Sequence, residues 1–285
     1  MPPRCILSPV PVVVAALAAT LASLLWLPRA GDAAAPNTLA ASTTFATPAA
    51  STATSAPSKH ILLFTRTTGF RHGSIPAGIA CFRRIAEANN LQLTHTEDPA
   101  IFTDESLANF GVVVFLNTTG DILNDAQQGA MERHHRAGAG FMGVHSAADT
   151  EYDWPWYGQL ISAYFRSHPA IQEASIDVLD TTHPSTRHLP HRWTRRDEWY
   201  DFRTQPAPGV QRLLNLDEST YSGGVMGAQH PIAWCHTFDG GRSFYTAGGH
   251  TSESYEEPDF FRHLTGGLLW AMNLENGPER QAAPE

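Results

Sequence analysis

Three short, uninterrupted apolar runs limit what this chain of 285 residues can fold into. They are His60–Thr65 (HILLFT), Gly111–Leu116 (GVVVFL) and Gly140–Val144 (GFMGV). Runs without polar alternation are typical of strands that are buried on both faces, as in parallel sheets. Helical patterns lie between them, one opened by Pro76 and another by Asn124. The alternation predicts an α/β domain whose mainly parallel sheet is covered by helices.

The pattern after residue 150 is less regular, but it ends in a clear hairpin. Ile232–Phe238 and Arg242–Ala247 are joined by Asp239-Gly240-Gly241, which favours a tight turn. An amphipathic helix is predicted over Asp259–Asn273. The other predicted elements are a helix over Trp154–Tyr164, strands over Ile171–Leu179 and Val210–Leu216, and a loop over His183–Arg196.

The two chain ends differ in composition from this domain. Arg4, the apolar stretch Val10–Leu27 and the small residues Gly31–Ala35 match a secretory signal peptide. Residues 36–58 are rich in Ala, Ser, Thr and Pro and carry no charge, which is typical of a disordered linker. We therefore expect a periplasmic or secreted protein, with a membrane anchor left open if the leader is not cleaved. The predicted divisions are a signal peptide over 1–35, a linker over 36–58, one domain over 59–275 and a polar tail over 276–285.

Charge and cysteine content exclude several classes of function. The chain has 19 Lys and Arg against 28 Asp and Glu, a net charge of −9, and no basic run, so we expect no nucleic-acid partner. Cys81 and Cys235 are too few for a disulfide framework or a zinc ribbon. We expect them to be buried free thiols, with one disulfide left open.

The segments that leave the predicted strands are candidate sites, because ligands of open parallel sheets bind beyond the carboxyl ends of the strands. Gly69–Ser74 (GFRHGS) follows the first strand and contains Arg71 and His72. Gly143–Asp149 has the spacing of a nucleophile elbow, but His145 stands at the elbow position. Acyl transfer is therefore not expected unless Ser146 takes the elbow position in a shifted register, and His145 suits a general base or a metal ligand. A plain surface loop and a histidine satisfied by backbone groups are the structural alternatives.

Three further segments carry titratable side chains. His168 precedes a proline, and Glu198 shares one face of its segment with Tyr200, while the adjacent Asp197 would face the other way. Small residues after the hairpin would let His250 approach the same sheet edge as His145, where Glu253 could orient it. The histidines of predicted helices, by contrast, are expected to be solvated, and a polar loop leaves a surface metal site open. These are His134, His135 and His263 on helices, and His183, His188 and His191 in the loop.

In their order and spacing these segments resemble the ThuA-like (trehalose utilisation) family. The matching segments are GFRH, GVHSA, F-x-x-HP, DE-x-Y and GGRSFYTAGGH, followed by a helix that ends GGLLWA. The resemblance covers His60–Asn273 and implies a flavodoxin-like three-layer α/β/α sandwich, similar to class I glutamine amidotransferases. Those enzymes have a cysteine at the elbow where this chain has His145, so no glutaminase activity is expected.

The resemblance also implies a place in carbohydrate metabolism, in particular the handling of trehalose and related disaccharides beside sugar 3-dehydrogenases. The predicted export signal sets this chain apart from cytosolic members of the trehalose pathway. The residues that the resemblance carries over by motif position are His72, His145, His168, Glu198 and His250.

We therefore expect an exported enzyme that processes a 3-keto glycoside, or a disaccharide such as a trehalose derivative, by lyase-type or hydrolase-type chemistry. A 3-keto group acidifies the C2 proton, which His145 or His250 would remove while Glu198 orients the base or acts as an acid. The expected substrate-binding residues are Arg71, His72, Tyr200 and Trp154, with Trp156 and Trp199 as further stacking surfaces.

Two alternatives stay open at this stage. In one, two or three histidines from the set His72, His145, His168 and His250 bind a divalent metal such as Zn²⁺, which polarises the ketone. In the other, the chain is a non-catalytic carbohydrate-binding or scaffold domain that kept the amidotransferase-like fold without its nucleophile. The expected partners are a small carbohydrate and a sugar dehydrogenase of the same pathway, and a homo-oligomer is left open.

Overall fold

The computed structural model describes residues 58–275. The predicted signal peptide (1–35), the predicted linker (36–58) apart from Ser58, and the predicted tail (276–285) lie outside these residues. Within the described part, no helix has both the length and the apolar character that crossing a membrane requires.

A mixed sheet forms the centre of the described domain. Nine strands follow the order β2-β1-β3-β4-β11-β10-β9-β6-β7, and β5 pairs separately with β8. The block from β2 to β11 is parallel, and the strands from β10 to β7 extend it in antiparallel fashion. The strands are β1 (His60–Phe64), β2 (Gln92–Thr96), β3 (Val112–Leu116), β4 (Gly140–Val144), β5 (Phe165–Ser167), β6 (Gln172–Val178), β7 (Arg192–Asp197), β8 (Asp201–Phe202), β9 (Gln211–Leu216), β10 (Pro231–Phe238) and β11 (Gly241–Thr246).

Helices cover both faces of the sheet. The neighbouring residues Phe244 and Tyr245 of β11 face opposite sides, because side chains alternate along a strand. Phe244 lies against Gly267 of one helix, whereas Tyr245 lies beside Gly143, next to Ile161 of another. The domain is therefore a three-layer α/β/α sandwich, as predicted. The helices are α1 (Ile75–Ala88), α2 (Asp104–Leu107), α3 (Asp125–Arg136), α4 (Pro155–Ile161) and α5 (Pro258–Ala271).

The apolar runs of the sequence form the centre of the core. Every residue of β3 and β4 is buried, as are Ile61–Phe64 of β1. Local capping sets where the helices between them begin. Asn124 and Gln127 form a capping box at the start of α3, and the Thr103 hydroxyl accepts a hydrogen bond from Ser106 N at the start of α2.

Two element predictions differ from the structure, one in type and one in its bounds. The predicted loop over His183–Arg196 contains most of β7, in which alternate residues are buried. Two of those inward residues, Arg195 and Asp197, are charged, so the alternation does not appear as apolar periodicity. The predicted helix over Trp154–Tyr164 ends at Ile161, because Ser162 takes a left-handed conformation with φ of 70°.

Candidate functional site

Three histidines and one glutamate converge beyond the carboxyl ends of the parallel strands. Each of them offers one ligand atom, and these atoms all lie within 4.8 Å of one another. Three of the side chains are buried and that of His250 is partly exposed. We call this set, His72, His145, Glu198 and His250, the quartet.

His145 occupies a sharp turn directly after β4, where its φ is 51°. Its Nδ1 lies 2.7 Å from the carbonyl oxygen of Ala247. A carbonyl only accepts, so Nδ1 carries hydrogen and donates it. In the neutral ring the lone pair is then on Nε2, which lies 3.2 Å from His250 Nδ1 and 3.5 Å from Glu198 Oε2. The elbow geometry predicted for this segment thus aims a lone pair into the quartet.

The loop that carries His250 is held by Asp197 on the neighbouring segment. The Asp197 carboxylate accepts hydrogen bonds from the backbone N–H of Gly249 (2.8 Å) and of His250 (3.1 Å), and from Ser254 Oγ (3.0 Å). Arg195 pairs with the same carboxylate at 2.9 Å. Gly249 has a φ of 110°, and a Cβ there would lie 2.6 Å from the Tyr255 hydroxyl, so the turn requires glycine.

Glu198 joins the quartet to His168. Its Oε2 lies 3.0 Å from His250 Nδ1, and its Oε1 lies 3.0 Å from His168 Nδ1. His168 therefore contacts the far oxygen of Glu198 and is not in the convergent set, in contrast to its predicted place among the metal ligands. Glu253 is exposed, so the predicted pairing of His250 with Glu253 is wrong and Glu198 takes that place.

His72 reaches the quartet from the loop after β1. Its ring packs edge-on against the rings of His145 and His250, with centroids 4.8 Å and 5.1 Å apart. Its Nδ1 lies 3.3 Å from the hydroxyl of the buried Ser146. The side chain is therefore fixed by packing as well as by a polar contact.

The quartet contains an ionised carboxylate and at least one neutral imidazole at neutral pH. Burial, with the neighbouring His145 and His250, lowers the pKa of His72 to about 3. Burial opposes ionisation of Glu198, but the neighbouring side chains of His145 and His250 outweigh it and hold its pKa at about 2. Burial likewise disfavours the charged form of His250, but Glu198 outweighs that effect and raises the pKa of His250.

The other predicted substrate-binding residues are placed differently from one another. Tyr200 is buried and packs over His145, with ring centroids 4.1 Å apart. Arg71 is exposed and pairs with Glu97 at 2.7 Å, outside the quartet. Trp154 is only 5% exposed and stacks on Trp156 and Tyr157, so it offers no surface to a sugar, contrary to the prediction. The side chain of Trp199 is fully buried as well.

Several histidines outside the quartet belong to the core. His135 and His263 are fully buried, so the prediction that they are solvated is wrong. The ring of His263 lies between Ser185 O (3.0 Å) and Thr246 Oγ1 (3.1 Å). Helical periodicity shows which residues share a face, but it does not show that this polar residue faces the sheet. Cys81 and Cys235 are free and buried, which confirms the preferred interpretation.

Two contributors to the site went unnoticed in the sequence. Asn117 follows β3, and its Nδ2 donates to Ser74 Oγ (2.9 Å) and Gly249 O (3.3 Å). Its position after a buried strand was the available signal. Phe70 is 66% exposed, its ring lies edge-on to His72 at 4.9 Å, and its backbone oxygen accepts a hydrogen bond from Thr119 Oγ1 at 2.8 Å. The quartet thus has an exposed aromatic side chain on an anchored loop beside it.

A second group of potential metal-ligating side chains lies outside the quartet, on the residues after Tyr200 and Asp217 and on the residue before β10. We call this set, Asp201, Glu218 and His230, the second cluster. His230 Nδ1 lies 2.8 Å from Glu218 Oε1, and His230 Nε2 lies 2.8 Å from Tyr200 O. Asp201 Oδ1 accepts a hydrogen bond from Val225 N at 2.9 Å. Both ring nitrogens therefore already face acceptors.

Comparison with known proteins agrees with this architecture. Residues 60–271 match the model of the ThuA family, described as trehalose utilisation. The fold is similar to that of a putative ThuA-like protein from Bacteroides uniformis, with 21% identity, a TM-score of 0.65, and coverage of 79% of this chain and 95% of the other. A putative ThuA-like protein from Parabacteroides merdae gives 19% identity, a TM-score of 0.64, and coverage of 79% and 93%. No curated protein gives a significant match.

Proposed function

Because the chain belongs to the ThuA family of trehalose utilisation proteins, we propose that it is an exported enzyme of carbohydrate metabolism. Its substrate is a glycoside or disaccharide in an oxidised, 3-keto form, such as a trehalose derivative. The observation that carries the proposal is the quartet, in which buried ring nitrogens and a carboxylate converge at the sheet edge where such folds bind ligands. Such convergence of perturbed titratable groups is typical of catalytic sites.

The proposed reaction is an elimination that needs no oxidant. A ketone at C3 acidifies the hydrogen on C2, so a base removes that proton and the C–H electrons form an enolate. The enolate then expels the oxygen at C1: the C1–O bond breaks, a C1–C2 double bond forms, and the leaving oxygen takes up a proton. Addition of water to the product would complete a net hydrolysis.

The residues around the quartet fit these steps. The lone pair on His145 Nε2 points into the site, which suits removal of the C2 proton. The side chain of His168 is 42% exposed and contacts Glu198, so it is placed to carry a proton to the leaving oxygen. The buried ring of Tyr200 over His145 keeps water from one side of the base.

Phe70 supplies an apolar surface at the same place. Sugar rings present C–H groups on their faces, and aromatic rings pack against such surfaces. Because Trp154 and Trp199 are buried, Phe70 replaces them as the stacking residue of the proposal. Its anchored backbone would hold the ring in place with little loss of entropy on binding.

The test uses 3-keto-trehalose in D₂O. We expect the wild-type chain to exchange the C2 hydrogen for deuterium and to release glucose, both followed by NMR. Glu198→Gln should lower both rates by about 100-fold or more, since it removes the charge that holds the histidines. His191→Ala, at an exposed histidine outside the quartet, is the matched control and should keep full activity. If wild type binds the sugar without exchange or release, the carbohydrate-binding alternative replaces the enzyme.

A further inference from the structure

We infer that the quartet binds one divalent transition-metal ion of the zinc class. The inference rests on the proposed function in taking the quartet as the reaction centre, but metal binding can be measured without any turnover. An ion there would occupy the lone pair of His145 Nε2. The ion would polarise the ketone oxygen and stabilise the enolate, and a hydroxide held by the ion, instead of His145, would remove the C2 proton.

The separations of the donor atoms fit an ion between them. His145 Nε2, His250 Nδ1 and Glu198 Oε2 lie 3.0, 3.2 and 3.5 Å from one another. A tetrahedral zinc ion with bonds of about 2.0–2.1 Å holds its ligand atoms about 3.3 Å apart. The three atoms therefore already form one face of such a site, and the ring of His72 packs against both histidines.

Each donor is also held from behind, as metal ligands usually are. Metal-binding histidines commonly donate their other N–H to a carbonyl or carboxylate, which fixes the tautomer and the ring orientation. His145 donates Nδ1–H to Ala247 O, which leaves Nε2 for the ion. Glu198 uses Oε1 for His168 and keeps Oε2 for the quartet, and the backbone of His250 is fixed by Asp197.

The kind of donor decides the class of ion. Imidazole nitrogens suit Zn²⁺ and its neighbours Co²⁺ and Ni²⁺, whereas Mg²⁺ and Ca²⁺ prefer oxygen ligands throughout. The His250 side chain is 21% exposed, while those of His145 and Glu198 are 0% and 7% exposed, so access is from the His250 side. A catalytic ion needs such an open side for water or substrate.

The second cluster does not meet the same conditions. His230 has a backbone carbonyl at one ring nitrogen and both a carboxylate and the Tyr221 hydroxyl at the other, so both nitrogens are already engaged by protein groups. Glu218 Oε1 also accepts a hydrogen bond from Met226 N at 2.7 Å. The second cluster therefore provides an internal control of similar composition.

The experiment titrates the full-length chain, purified without a polyhistidine tag and stripped with a chelator, with Zn²⁺ and with Co²⁺. We expect one ion per chain by elemental analysis and calorimetry, and a visible Co²⁺ spectrum of low-symmetry coordination. His145→Ala should weaken zinc binding by more than the roughly 10- to 100-fold typical of losing a supporting partner. Glu198→Gln serves as a second variant if His145→Ala does not fold, and His230→Ala should keep wild-type zinc affinity.

Three binding results would overturn the inference. These are wild type that binds less than one equivalent at micromolar zinc, quartet variants that bind like wild type, and zinc lost in His230→Ala alone. Turnover of the 3-keto sugar by stripped protein at the full rate would also overturn it, while leaving the proposed function in place. Stoichiometric zinc without any reaction of the sugar would instead contradict the proposed function and leave the metal site.

Discussion

The quartet and the second cluster are built from the same residue types but are organised differently. In the quartet, His145 donates one ring nitrogen to a backbone carbonyl and directs the other toward His250 and Glu198. In the second cluster, both ring nitrogens of His230 contact protein groups, Nε2 the Tyr200 carbonyl and Nδ1 the Glu218 carboxylate. The quartet leaves donor atoms available for a ligand, whereas the second cluster uses its donor atoms in hydrogen bonds that fix the backbone.

The difference shows that composition alone does not make a site. A buried polar group must find hydrogen-bond partners, and where the protein supplies all of them the group is structural. The second cluster ties segment 200–201 to the glycine-containing segment 223–227, since Asp201 and Glu218 accept hydrogen bonds from Val225 N and Met226 N.

The largest effect that separates the two groups is expected in stability. His230→Ala leaves the Tyr200 carbonyl and the Glu218 carboxylate without their partner, which typically costs about 2–3 kcal/mol of unfolding free energy. Urea denaturation of the chelator-stripped protein measures it, with His145→Ala as the matched variant. We expect a smaller loss for His145→Ala, because it leaves one acceptor, Ala247 O, without its partner instead of two. Equal losses of unfolding free energy in the two variants would contradict the distinction between a structural histidine, His230, and a ligand-binding histidine, His145.

The next effect concerns Asp197, which positions His250 without belonging to the quartet. Asp197→Asn keeps the shape but removes the charge and part of the acceptor capacity that fixes Gly249 N, His250 N and Ser254 Oγ. We expect zinc affinity to fall by about 10- to 100-fold. We also expect kcat to decrease by a larger factor than the one by which KM changes.

Glu257→Gln is the control for Asp197→Asn. Glu257 pairs with Arg195 at 2.9 Å from the other side, and in the described structure its carboxylate makes no hydrogen bond to the His250 loop. If Glu257→Gln weakens zinc binding as much as Asp197→Asn, the effect comes from Arg195 and not from positioning of His250.

The sequence predicted the fold better than it predicted the contacts of the site. Buried strands are local and continuous, so His60–Phe64, Val112–Leu116 and Gly140–Val144 could be found from their apolar runs. The rule that ligands bind at strand ends then selected His145 and His250, which the structure brings together. The same rule pointed to His72 in the loop after the first strand, and Glu198 was found as a carboxylate that shares a face with Tyr200.

Partners that are distant in sequence could not be predicted in the same way. Both Glu253, three residues away, and Glu198 were expected as groups that could orient His250; the structure exposes Glu253 and places Glu198 Oε2 3.0 Å from His250 Nδ1. The burial of His263 and the exposure of Phe70 likewise depend on which side of an element meets another part of the chain. A single sequence holds no direct signal for such packing.

Core histidines differ from both groups, because in the folded state at neutral pH they are uncharged and face no ligand site. Burial lowers the pKa of His263 to about 3, against about 6.5 in the unfolded chain. Between these two pKa values the unfolded state binds a proton that the folded state does not bind. The contribution of His263 to the free energy of unfolding is therefore fully present above about pH 6.5 and is lost as the pH falls. His263→Gln keeps hydrogen-bonding capacity and should reduce that slope by up to about 1.4 kcal/mol per pH unit.

The stripped protein provides a contrast of opposite sign. Glu198 raises the pKa of His250, so this group contributes stability that is present below about pH 6.5 and is lost as the pH rises through its folded pKa. Unfolding free energies of His263→Gln and His250→Gln between pH 4 and 8 measure the two slopes. A change in the same direction for both variants would contradict the assignment of one histidine to the core and the other to the site.

The smallest effect is expected where each group meets solvent, because each has an exposed apolar side chain nearby. Phe70 lies beside His72 and is 66% exposed. Val225, whose backbone N–H donates to Asp201, is 56% exposed. An aromatic contact with a sugar is worth about 0.5–1.5 kcal/mol, so Phe70→Ala should raise KM for the 3-keto sugar about 3- to 10-fold. Its kcat should change little, since a stacked ring binds ground state and transition state alike. Val225→Ala should leave both constants unchanged, and an equal rise in KM would show that the substrate contacts the loop of the second cluster too.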